Sequence, residues 1–359
     1  MRISPSMKLA SFFLVALMSV ALLPASASAQ DKPKFIVEED CSHFAVAPDN
    51  KIVFVVQRQK HIKKTVVQRD DIWVASAGGA KRRIVEGEKF MPAPPPLSFQ
   101  VDAISWSPDS RLLAADISFQ KPATDDDSSP TNAKGIVLFD ENGGEIRVAG
   151  SKTRFIEDAG NATWLADGQT IAYVTGGGPY QIVRMKPSEG KPVTLFEGHT
   201  FDGITWDAKH NQAFAIGRNL SISGRDVLVQ LDLIHETVRE LARIPEFQSK
   251  LTIAPSGNRV GYFVDPETIE VREIANPNKP LKTRAGFGSF QFGLDENRVL
   301  LKHGSDDRSG TLVWVGLTDG TFRPILHDLL VSAFQIAPDG QSIVIAEPGK
   351  HILKVYPLQ

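Results

Sequence analysis

The feature that most constrains this chain is a hairpin that returns seven times. In "SWSPDSRLLAA" two runs of alternating apolar residues flank a Ser-Pro-Asp-Ser turn at Asp109, and matching segments centre on Asp49, Asp167, Lys209, Ser256, Asp295 and Asp339. Successive centres lie 60, 58, 42, 47, 39 and 44 residues apart. Three positions before them stand Val46, Trp106, Trp164, Trp206, Ile253, Phe292 and Ile336, all apolar. One position earlier come Ala45, Ser105, Thr163, Thr205, Thr252, Gln291 and Gln335, all small or polar. This period-two alternation predicts a strand entering each turn. Val53, Leu113, Ile171, Ala213, Val260, Val299 and Ile343, four positions beyond, predict a strand leaving it. Pro presets φ, while Asp, Asn, Ser and Gly bond their own backbone or tolerate positive φ, so "PDN", "PDS", "PDG" and "PSG" spell tight hairpins.

Each copy continues into a third strand, such as "DIWVASAGG" or "TLVWVGLTDG", and six copies add a fourth, such as "KRRIVEG" or "KPVTLFEG". The seventh copy runs to Gln359 without a fourth, but "KPKFIVEE" at 32–39 precedes the first copy and supplies a matching strand. Four strands per unit with complementary termini predict an all-β fold, a seven-bladed β-propeller whose last blade is closed by the N-terminal strand. A β-sandwich or a pair of small all-β domains accounts for neither the phasing nor the displaced strand.

Residues 1–29 read as a signal peptide: Arg2 and Lys8, the apolar run "LASFFLVALMSVALL", then Ala27-Ser28-Ala29 as a small-residue cleavage site. The expectation is an exported chain, periplasmic or secreted, with residues 30–359 forming the propeller. The 15-residue run is short for a bilayer-spanning helix and no later segment approaches it, so no membrane insertion is expected. Cys41, the single cysteine, follows an acidic stretch rather than an apolar one, which argues against a lipid anchor and excludes an internal disulfide. Without the leader, 38 basic residues face 42 acidic ones, a balance that gives no reason to expect nucleic acid as a partner. A monomer is expected.

The "SWSPDSRLLAA" and "IAPDGQSIVIA" units, each with its third strand and basic fourth, resemble the WD40-like propeller repeats of the TolB family, which also precede prolyl-oligopeptidase-type hydrolase domains. The resemblance spans residues 32–359, although the Pro-Asp pair is intact only at Pro48-Asp49, Pro108-Asp109 and Pro338-Asp339. It implies a propeller. The N-terminal α/β domain of TolB itself is not expected, because only a few residues separate the cleavage site from the first strand. No Gly-x-Ser-x-Gly elbow occurs, so peptidase activity is not expected either.

The candidate chemistry lies in the loops that carry the chain into each inner strand. Six bear a carboxylate, Asp40, Asp102, Asp158, Asp202, Glu246 and Asp328, and aromatics stand close by at Phe90, Phe99, Phe155, Phe201, Phe247 and Phe287. Such a mouth fits a protein, peptide or glycan partner in the cell envelope, bound without catalysis, with Phe90, Phe155, Phe201, Phe247 and Phe287 as contact area. No cofactor is needed for that reading. Its alternative is a lactonase-like or hydrolase-like enzyme in which the same carboxylates hold Ca²⁺. "HETVRE" at His235 lacks the second histidine of a zinc-protease helix and falls between two strands, so it reads as a turn. "QRQKHIKKTVVQR" with Lys81, Arg82 and Arg83 makes a basic sector in the first repeat.

Overall fold

The computed structural model describes residues 33–37, 40–62, 64–76, 78–90, 98–121, 131–176, 180–197, 199–218, 227–244, 251–286, 288–303, 310–326, 331–347 and 352–358. Residues 1–29, read from sequence as a signal peptide, and Glu246, Phe247, Phe287 and Asp328 lie outside them. Among the described residues no helix is long and apolar enough to cross a membrane.

Seven antiparallel sheets follow one another along the chain as the blades of a β-propeller. Blade 1 runs from its inner strand Cys41–Val46 through Ile52–Val56 and Asp71–Ala75 to the outer strand Lys81–Val85. Blade 2 is built on Phe99–Trp106, Leu112–Lys121, Thr131–Asp140 and the short Glu145–Ile146, with Ile156–Glu157 also pairing its third strand. The inner strands of blades 3 to 6 are Ala159–Trp164, Thr200–Asp207, Thr252–Ile253 and Gly288–Phe292. Blade 7 takes three strands from the end of the chain, Ala333–Ile336, Ser342–Ala346 and Leu353–Pro357, and its outer strand from the beginning, Lys34–Val37. Lys34 pairs with Val355 and Phe35 with Lys354, so the expected closing strand is in place.

Each blade sits between two others, which explains the sequence pattern of the second strands. In Ile52–Val56 every residue is buried. Val53 and Val55 enter the core shared with blade 2, while Ile52, Phe54 and Val56 enter the core shared with blade 7. Strands covered on both faces lose alternation and become continuously apolar. Among the described residues the buried side chains form seven clusters, one at each blade-to-blade interface.

The turns behave as their residues require. A left-handed residue ends each one, at Asn50, Ser110, Gly168, Asn211, Gly257, Glu296 and Gly340, with φ between 52° and 71°. Glycine and asparagine bear this readily, while Ser110 is held there by its N–H bond to Ser107 O (2.9 Å). Glu296 is held in place by its carboxylate, which accepts Ser256 N (2.6 Å) and Oγ (3.0 Å) from blade 5. Asp49, Asp109, Asp167, Asp295 and Asp339 each accept the backbone N–H two residues on. Neighbouring turns are tied as well, through Asn50 Nδ2 to Asp339 Oδ2 (3.0 Å), Asp49 N to Ser110 Oγ (3.2 Å) and Ala166 N to Asn211 Oδ1 (2.9 Å). The Pro-Asp turns are therefore structural, and they lie at the end of the blades away from the loops that lead into the inner strands.

In five inner strands the polar position beside the apolar one ties its blade to a neighbour. Ser105 Oγ donates to Ala162 O (3.1 Å), Thr205 Oγ1 to Leu251 O (3.1 Å), Thr252 Oγ1 to Phe290 O (3.3 Å) and Gln291 Nε2 to Phe334 O (3.2 Å). Gln335 Oε1 accepts Val46 N at 3.0 Å and so joins the last blade to the first. Trp106 and Trp206 add indole N–H bonds to Ala45 O and Asn161 O of the preceding blade.

Candidate functional site

The mouth opposite the Pro-Asp turns is where the blades depart from repetition. Inner strands of blades 1 to 4 carry bulges, between Cys41 and His43, Val101 and Ala103, Gly160 and Thr163, and Asp202 and Thr205. A bulge frees backbone N–H groups from the ladder, and carboxylates collect them. Asp116, on the second strand of blade 2, accepts Asn161 N (2.6 Å) and Ala162 N (3.2 Å) of blade 3. Asp70, fully buried, accepts Val101 N (2.9 Å) of blade 2. Asp71, also buried, accepts Gly87 N at 3.0 Å and faces Arg83 Nη1 at 3.3 Å.

Asp102 stands in the middle of this sector. It is half-buried and accepts the Ser118 hydroxyl at 2.5 Å. Burial pushes the Asp116 carboxyl up to about 6, with the Asp102 charge adding to the rise. Asp70 is raised in the same way, by burial first and by Asp102 last. Burial lowers His43, on the inner strand of blade 1, and Asp102 works against it. Three carboxylates and a histidine from blades 1 and 2 thus share one electrostatic neighbourhood.

Of the other sequence candidates, Asp40 is exposed and its carbonyl accepts Gln57 N (2.9 Å). Asp158 is exposed in a left-handed turn, φ 53°, and Asp202 is half-buried. Among the described residues no group of three or more His, Cys, Asp or Glu side chains is arranged to hold a metal ion. The phenylalanines are drawn inward. Phe90 is buried against Phe99 and Phe139, with ring centroids 5.0 and 5.4 Å away and the Arg154 guanidinium 4.0 Å above its ring. Phe155 stacks on Phe119 at 4.6 Å, and Phe201 is buried beside Phe196 at 5.9 Å. His235 is exposed, its Nδ1 2.9 Å from Asp232 in the turn between two strands.

Asp70, Asp71 and Asp116 are the residues that loop inspection missed. A signal existed for Asp116, a carboxylate interrupting the apolar run Leu112–Ile117, and for the adjacent pair Asp70-Asp71 at the start of a strand.

The same sector is raised. Blade 1 inserts a separate hairpin, Gln59–Ile62 with Thr65–Gln68, between its second and third strands. The second and third strands of blade 2 are ten residues each, against five each in blade 3. Across the channel, the inner strands of blades 4 to 7 line a cavity of about 850 Å³ with Trp206, Ile253, Phe292, Phe334 and Ile336.

A solved structure shares this fold. A chain in a crystal structure of a mitotic checkpoint complex superposes with TM-score 0.58 over 99% of this chain and 99% of its own, at 13% identity. At that identity the likeness is one of fold, a WD40-like propeller. No family model and no curated protein matches the sequence.

Proposed function

We propose that this chain is an exported, non-catalytic propeller of the TolB-like repeat type that binds a protein partner in the cell envelope through the mouth opposite its Pro-Asp turns. The observation that carries the reading is the asymmetry of that mouth. Two hairpins rise over blades 1 and 2, and beneath them the carboxylates of Asp70 and Asp116 gather around Asp102. Among the described residues no other blade inserts a separate hairpin or has ten-residue second and third strands. Scaffolds of this kind place recognition on the elements that depart from the repeat.

The chain beside it in fold is a component of a protein complex by its title, which is consistent with a scaffold role. The leader at residues 1–29 supports export.

Capture from an envelope extract tests this. The mature chain and a variant with residues 59–68 replaced by a two-residue turn are immobilised side by side, and captured proteins are quantified by mass spectrometry. A protein enriched by the mature chain and lost with the shortened hairpin is the expected result. Identical captures by both would sink the reading.

A further inference from the structure

The raised hairpins of blades 1 and 2 enclose a cleft of about 420 Å³, a size within the range of small-ligand sites, roughly 300–1,000 Å³. Its main wall is a strand face. In Leu112–Lys121 the residues Leu113, Ala115, Ile117 and Phe119 are buried in the core shared with blade 1, so alternation turns Asp116, Ser118 and Gln120 to the other side. Cross-strand pairing then builds two rows. Gln100, Ser118 and Lys134 lie side by side, and Gln120 lies beside Asn132 nearer the tip. Gln68 and Ser98 close the cleft from the blade 1 side, where Gln68 N donates to Ser98 Oγ at 3.3 Å.

This lining has a definite chemistry: four carboxamides, two hydroxyls, one ammonium and no carboxylate. Ser118 gives its proton to Asp102 Oδ2 at 2.5 Å, so its lone pairs are left to accept from the cleft. Gln120 Oε1 is buried and has no hydrogen-bond partner among the described residues. A buried amide oxygen in that state has lost its water without a compensating hydrogen bond until a donor reaches it. The apolar part of the lining is limited to Phe119, which is 5% exposed, and Ala133. A peptide side chain therefore meets no apolar pocket here. Closely spaced amides and hydroxyls do match the vicinal hydroxyl and acetamido groups of a sugar, each of which offers a donor and an acceptor together.

We propose that this cleft binds a saccharide, with Gln100, Ser118, Gln120 and Asn132 bonding its hydroxyl or acetamido groups and the exposed Lys134 beside them. The site goes beyond the protein-partner reading and does not depend on it. Asp102 takes part as a positioning residue that fixes the polarity of the Ser118 hydroxyl.

The test uses purified mature chain and defined sugars, so its failure would leave the protein partner untouched. Chitohexaose, maltohexaose and a hyaluronan hexasaccharide present acetamido groups, hydroxyls alone, and added carboxylates. Saturation-transfer NMR and calorimetry are run on the wild type, on Gln120→Leu, and on the double variant Gln100→Ala with Asn132→Ala. The double variant changes two exposed side chains, and its melting temperature is compared with that of the wild type to establish that it is folded. The expected result is millimolar or tighter binding of at least one probe, weakened about tenfold or more in both variants. No saturation transfer from any of the three, or binding that both variants retain, overturns the proposal.

Discussion

Asp116→Asn removes a charge that the folded chain holds at a cost, and its effect should change with pH in a definite direction. Burial and the nearby Asp102 raise the Asp116 carboxyl from its ordinary 3.8 to about 6. Between those values the native state binds more protons than the unfolded one, so stability falls as pH rises through that window. Two pKa units correspond to about 3 kcal/mol, and partial exposure of the side chain reduces this to about 2–3 kcal/mol. Asparagine does not titrate; its one carbonyl replaces only one of the two carboxylate oxygens that accept Asn161 N and Ala162 N, a loss of one hydrogen bond that lowers its stability by the same amount at every pH. Relative to wild type, the variant should therefore gain about 2–3 kcal/mol between pH 4 and pH 7. For a chain of this size the unfolding entropy is about 0.7 kcal/mol/K, which makes the change about 3–4 °C in relative melting temperature. Paired thermal melts at pH 4, 5, 6 and 7 read it directly. A difference between the two proteins that stays constant across the range would refute the argument, and so would one that moves in favour of wild type.

Other outcomes follow from single contacts. Glu270→Ala should destabilise by about 3–5 kcal/mol in urea titration, because it strands the buried Arg272, whose Nη2 lies 2.5 Å from Glu270, and removes the acceptor of the buried Tyr262 hydroxyl. Gln335→Leu should cost about 1–3 kcal/mol by leaving Val46 N without its acceptor where the ring closes. Cys41 is 3% exposed and burial pushes its thiol up to about 12, so a thiol reagent at pH 8 should label it only in denaturant. Millimolar calcium should leave the melting temperature unchanged, since a bound ion would raise it.

The sequence carried most of the scaffold because each blade repeats the same local chemistry. Apolar Trp106 and Trp206, polar Ser105 and Thr205, and the left-handed Asn50 and Gly340 occupy positions that period-two alternation and turn preference already single out. The closing strand was legible because "KFIV" is a fourth strand without a blade of its own. The mouth was harder to read. Phe90 and Phe201 look the same in a loop whether they face solvent or a neighbouring blade, and only the packing of adjacent blades turns them inward. "QRQKHIKKTVVQR" read as a run of charge, whereas it folds as a hairpin because Asp70 and Asp71 anchor its base through backbone N–H groups far along the chain. Asp102 was singled out for its place in a loop; its hydrogen bond to Ser118 depends on a cross-strand neighbour 16 residues away.

Hydrogen exchange of residues 30–359, alone and with any protein enriched in the capture experiment, tests the central claim most directly. The account predicts slowed exchange in Gln59–Gln68 and Leu112–Lys121, on the raised sector, and no change at the Pro-Asp turns around Asp49, Asp109 and Asp339. Protection confined to those turns, with the two hairpins unaffected, would contradict it.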